Sequence, residues 1–161
     1  MKVSIFILFV SFIVFAGCTP ADHSGGVDQA TLQAMVDQIW SNGNMAAVDQ
    51  NYAEGFIRHN PASWDPPVTE GREAFKEMIA STREKFGDFK VELVEMVGTA
   101  DARAVRWTAS GTDSESGNQV NFAGISFIRN NAEGKTTEEW VSFDTQGVAE
   151  QIMGNMQSTM K

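Results

Sequence analysis

At Gly87 the apolar residues of this chain change period, and that change restricts the fold more than any other feature. Before it they recur at helical spacing. Leu32, Met35, Val36, Ile39 and Trp40 fall at i, i+3, i+4, i+7 and i+8, and Phe75, Met78, Ile79, Thr82 and Phe86 form a later stripe. After it they alternate, which predicts four strands at about Lys90–Val97, Ala102–Thr112, Gln119–Arg129 and Lys135–Asp144. The turns between them are rich in Gly, Asn, Asp and Ser and are short enough for antiparallel hairpins. Asn42-Gly43 should end the first helix, and Asn44 can cap a shorter second one running to about Ala53. Phe56 to Glu70, with Pro61, Pro66 and Pro67, reads as a loop, and Gly87 closes the third helix. Val148 to Met160 is amphipathic and reads as a closing helix. Helices followed by a meandering sheet make an α+β domain, with helices packed on one face of a curved antiparallel sheet. Where such a sheet bends away it encloses a pocket suited to a small molecule.

The domain is expected over residues 28–161. Residues 1–17 read as a signal peptide: Lys2 supplies the positive start, Ile5 to Phe15 is apolar except for Ser11, and Ala16-Gly17 offers small residues for cleavage. The run is shorter than the roughly 20 residues of a membrane span. The only cysteine, Cys18, follows directly. This arrangement resembles a bacterial lipoprotein signal, with Phe15 where that pattern usually has leucine. The resemblance implies lipidation of Cys18, a tether over residues 18–27, and a domain held on the periplasmic side of a bacterial membrane. An ordinary secretory peptide that leaves a free cysteine and an uncleaved N-terminal anchor are the alternatives.

The formal charge is −9, which argues against nucleic acid and against electrostatic attachment to anionic lipid. Membrane contact is expected only through the N-terminal lipid. The chain has no Walker loop, no dinucleotide-binding glycine fingerprint and no nucleophile elbow. With two histidines, one of them (His23) in the tether, and one cysteine, a zinc site of ordinary composition is not expected, nor is any cofactor. What remains is His59, a set of carboxylates, and many aromatics and methionines.

The order of motifs resembles the SnoaL-like polyketide cyclase family of the nuclear transport factor 2-like superfamily. The matching pieces are Asn51–Pro61 (NYAEGFIRHNP), Gly71–Ile79 (GREAFKEMI), Phe86–Val97, Asp101–Thr112 (DARAVRWTASGT), Phe127–Lys135 and Glu138–Asp144 (EEWVSFD). The fourth is similar to the family's Asp-x-Val-x-Val-Arg-Trp-x-x-x-Gly-Thr strand. The resemblance implies a cone-like fold around a cavity, with no cofactor. It also implies an acid/base role for the aspartate of Glu-x-Trp-x-x-x-Asp, here Asp144. Asp113 stands where members often carry a histidine after Gly-Thr.

Trp140, Ser142 and Asp144 share one face of the last strand, and Val141 and Phe143 the other. Either the first face is the aromatic pocket, with Trp140 desolvating Asp144, or it is the wet outside of the sheet, as Glu138 on the same face suggests. His59 is the second catalytic candidate, placed by the resemblance near the cavity mouth. The other reading makes it a turn histidine before Asn60-Pro61. Tyr52 and Phe56 line the cavity or anchor the core. Trp107 shares a face with Val105 and Ala109 and points inward, for packing or for binding. Trp64 is part of a lid or pins its loop. Two functions stay open. One is a cofactor-independent cyclase, isomerase or hydrolase acting on a hydrophobic small molecule; the other is a lipid-anchored module that binds such a molecule without turnover. A homodimer through the open sheet face is compatible with both.

Overall fold

The computed structural model describes residues 28–154. Cys18, the signal-like segment, the tether and the predicted end of the last helix lie outside them. Helix α1 spans Gln29–Val36 and is started by Asp28, whose carboxylate accepts from the Thr31 backbone N–H at 3.0 Å. It runs on as a π-helical turn, Asp37–Ser41, before Gly43 takes a positive φ of 68° and stops it. Helix α2 is Met45–Asn51 and helix α3 is Arg72–Lys85. The Gln33 side chain pins α1 to the sheet, donating to the Val91 carbonyl at 2.9 Å and accepting from the Leu93 N–H at 2.7 Å.

Strands β1 (Tyr52–His59), β2 (Val68–Glu70), β3 (Lys90–Gly98), β4 (Ala102–Thr112), β5 (Gln119–Asn130) and β6 (Thr136–Phe143) form one sheet in the order β2-β1-β6-β5-β4-β3. Helix α4, Thr145–Met153, follows β6 directly. The last four strands appear within a residue or so of where alternation predicts them. The first two are a correction. The segment from Tyr52 was expected to finish a helix and become a loop, whereas Tyr52–His59 is a strand parallel to β6 and antiparallel to β2. Its alternation is hidden by a register shift between Tyr52 and Ile57.

The sheet has a covered face and an open one. Phe56 and Arg58 of β1, Val105, Trp107 and Ala109 of β4, and Val120 and Ser126 of β5 are buried on the covered side. Two packed clusters fill that side. One joins Leu32, Phe86 and Phe89 to the sheet residues Trp107, Val120 and Val141; the other joins Ile39, Val48, Tyr52, Phe56, Phe75 and Ile79. The open side carries Ile125, which is 54 % exposed, and Phe127.

Candidate functional site

A cavity of about 810 Å³ opens between the covered face of the sheet and helices α1, α3 and α4. That volume suits a drug-sized molecule. Its walls are largely aromatic. Trp107, Phe122 and Phe143 meet ring to ring at centroid distances of 5.1 to 6.0 Å, and Trp40 and Phe89 pack at 5.8 Å. Alternation along β4 turns Trp107 inward with Val105 and Ala109, and Gly124, its partner across β4 and β5, has no side chain to block the indole. The indole N–H donates to Ser126 Oγ at 3.0 Å, so the buried donor is satisfied.

The charged centre of the cavity comes from β1 and β6. Arg58 Nη1 donates to Glu139 Oε2 at 3.0 Å, with the two side chains only 8 % and 11 % exposed. The guanidinium also donates from Nε to Asn60 Oδ1 at 3.1 Å and lies 5.7 and 5.8 Å from the Trp40 and Phe75 rings. Tyr52 lines the same cavity, and its burial raises the phenol far above its usual pKa, so it stays protonated. Trp64 lines the mouth and sets its edge against Phe143 at 5.5 Å.

The face expected to hold the pocket on β6 is corrected. Glu139, Val141 and Phe143 point toward the helices, while Trp140 and His59 lie on the open side. There the two rings stack at 4.8 Å and 6°, and His59 Nε2 meets Glu138 Oε1 at 2.9 Å. Asp144 is exposed and caps α4, accepting from the Gly147 N–H at 2.8 Å, and neither it, His59 nor Trp140 is part of the cavity lining. The structure therefore brings Tyr52, Trp64 and Trp107 together at the cavity and leaves Asp144, His59 and Trp140 off it. Phe56 is fully buried, packed 4.8 Å from both Tyr52 and Phe75, behind the wall and not in it. Sequence reading missed Arg58 and Glu139. Their signal was parity, since Glu139 alternates with Val141 and Phe143, and Arg58 with Phe56.

Comparison with known proteins explains this architecture. The model of the SnoaL-like polyketide cyclase family matches residues 30–152. The chain belongs to the SnoaL-like polyketide cyclase family. Similar solved structures include a proposed polyketide cyclase from Acidithiobacillus ferrooxidans, 22 % identical with a TM-score of 0.69, covering 79 % of this chain and 96 % of that one. A second is IdmH, a proposed polyketide cyclase from Streptomyces antibioticus, at 21 % identity and a TM-score of 0.66, covering 78 % and 99 %. A third, from Catenulispora acidiphila, has a ketosteroid isomerase-like fold and was solved with trimethylamine; it is 15 % identical with a TM-score of 0.63, covering 73 % and 88 %. At these identities the structures establish the fold alone. No curated protein matches the chain in sequence.

At Asp113, directly after Gly111-Thr112, the geometry gives the aspartate a structural task. Asp113 is 1 % exposed, and its Oδ2 accepts from the Ser116 N–H and hydroxyl, both at 2.8 Å. Lys85, at the end of α3, stands 3.4 Å from the other oxygen. These hydrogen bonds hold its pKa below the ordinary carboxylate value. Among the described residues no group of three or more His, Cys, Asp or Glu is placed to hold a metal ion, and no helix is long and apolar enough to cross a membrane.

Proposed function

We propose that the domain takes a hydrophobic small molecule into this cavity and moves a proton on it by carboxylate acid/base chemistry, without a cofactor, in a cyclisation, isomerisation or hydrolysis. The observation that carries the reading is Glu139, a carboxylate buried among aromatic side chains and oriented by Arg58. A carboxylate so placed can take a proton from the carbon beside a carbonyl and return it to a developing alkoxide. Trp40, Trp107, Phe122 and Phe143 would hold the apolar body of the ligand. The names of the similar structures favour ring closure among the three reactions. Asp144 remains the acid/base candidate that the family motif supports, and Glu139 is the one that position supports.

The second reading is a binding module without turnover. It is favoured by Asp113, which occupies the family's histidine position and is committed to its turn. The signal-like N-terminus and Cys18 favour export and a lipid anchor on the periplasmic side, where such a module would present its ligand site.

Deuterium incorporation at the α-carbon of 2-tetralone, followed by proton NMR, tests these readings. The enzyme reading expects exchange above the spontaneous rate. Loss in Glu139→Gln but not in Asp144→Asn assigns the base to Glu139, and the reverse assigns it to Asp144. Quenching of tryptophan emission by 2-tetralone with no accelerated exchange would favour the binding module.

A further inference from the structure

Three polar atoms at the charged end of the cavity have no hydrogen-bond partner among the described residues. Arg58 commits Nε to Asn60 and Nη1 to Glu139, which leaves Nη2. Glu139 commits Oε2 to that pair, which leaves Oε1. The Tyr52 hydroxyl makes no hydrogen bond at all. All three residues line the cavity, and Arg58 and Glu139 keep 8 % and 11 % of their side-chain surface open. None of the three atoms is sealed from accessible surface. A molecule in the cavity can therefore touch them.

The three atoms are a matched set. Arg58 and Glu139 stand opposite each other in register across β1 and β6. Nη1 and Nη2 are neighbouring arms of one planar guanidinium, so the fork that holds the carboxylate offers a second donor beside it. Tyr52 begins β1 on the same covered side, close enough to Arg58 and Glu139 for their charges to act on its phenol. Burial, helped by the Glu139 charge, keeps that phenol protonated, so it has a hydrogen to give. Two free donors thus stand with one free acceptor at the end of an aromatic cavity.

We infer that Arg58 Nη2 and the Tyr52 hydroxyl hold the carbonyl oxygen of the ligand while Glu139 Oε1 takes the proton from the adjacent carbon. The inference rests on the reading of Glu139 as the proton carrier. It adds a substrate class, carbonyl compounds with an α-hydrogen, and two further catalytic residues. As the C–H bond breaks, its electron pair becomes the C=C bond of an enolate. The carbonyl π pair moves to oxygen, and the proton goes to Glu139. Glu139 loses its negative charge as the oxygen gains one, so Arg58 keeps a counter-ion before and after the step. That matters because a buried guanidinium left alone is costly. Donors fixed in place by the fold stabilise the developing oxyanion without reorganising.

Two readouts on the full chain test the inference. The first is α-hydrogen exchange of 2-tetralone, followed by proton NMR. Tyr52→Phe removes one donor and keeps the ring, so it should slow exchange at saturation about tenfold or more. Its calorimetric affinity for 2-tetralone should stay within about threefold of the wild type, because the donor acts mainly on the developing charge. Exchange at the wild-type rate in Tyr52→Phe would overturn the role of the hydroxyl and leave the acid/base reading standing. If the wild type binds 2-tetralone without exchanging it, the acid/base reading fails and the inference with it. The second readout is the absorption of 2-naphthol, which has the shape of the planar enol and reports whether its oxygen is ionised. Glu139→Gln keeps both donors and removes the competing anion, so it should bind 2-naphthol as naphtholate at pH 7. Arg58→Met/Glu139→Gln should bind it only in the neutral form. A naphtholate band that is absent from folded Glu139→Gln, or that persists in the double variant, would overturn the role of Arg58. If Glu139→Gln fails to fold, the exchange rate of Tyr52→Phe decides alone.

Discussion

Arg58 and Glu139 face each other across adjacent parallel strands, 3.0 Å apart and almost out of reach of water. Each keeps the other's charge tolerable, and the Trp40 and Phe75 rings flank the guanidinium. Removing one partner leaves a buried charge alone, which costs far more than losing a surface pair. Arg58→Met is expected to destabilise the domain by about 3–5 kcal/mol in urea unfolding. The double variant Arg58→Met/Glu139→Gln should recover much of that loss. If the single and double variants are equally unstable, the pair is not what holds this region.

The Trp107 indole occupies space that a side chain at position 124 would need. Gly124→Ala should push the ring off its Ser126 bond and out of line with Phe122 and Phe143. Overpacking of this kind costs about 1–3 kcal/mol. The check is a lower urea midpoint together with a changed near-UV dichroism spectrum. An unchanged spectrum would mean that the ring has room to yield.

Asp113 gives the domain an acid-sensitive point. Its folded pKa is depressed, so its stabilising contribution is complete above the ordinary carboxylate pKa and is lost as pH falls through the lower folded value. Asp113→Asn should therefore melt below the wild type at pH 7, and the gap should close progressively below about pH 4. A gap that stays constant down to pH 2 would show that the carboxylate charge is not responsible.

How much of this was legible in the sequence depends on where each partner lies in the chain. Strands β3 to β6 pair with sequence neighbours through short turns, so alternation and turn residues locate them. β1 pairs in parallel with β6, far along the chain, and its shifted register breaks the alternation that would have marked it. The period also says which residues share a face of β6 without saying which face is covered. Glu139 looks like an outside residue until Arg58 is known to stand opposite. The stack of Trp140 on His59 belongs to the open face, where aromatic residues gave a false impression of a pocket.

Asp144 caps α4, and one pair of substitutions separates that role from the acid/base role that the family motif proposes for it. Its carboxylate accepts the Gly147 N–H and starts α4, whose Val148 and Ile152 close one side of the cavity. Loss of an N-cap costs about 0.5–2 kcal/mol, whereas asparagine caps about as well as aspartate. Asp144→Ala should lower the melting temperature and weaken 2-tetralone binding through a loosened α4, and Asp144→Asn should do neither. If Asp144→Asn keeps full stability and binding yet abolishes α-carbon exchange, the chemistry belongs to Asp144. If exchange also persists, capping is the whole of its task and Glu139 remains as the proton carrier.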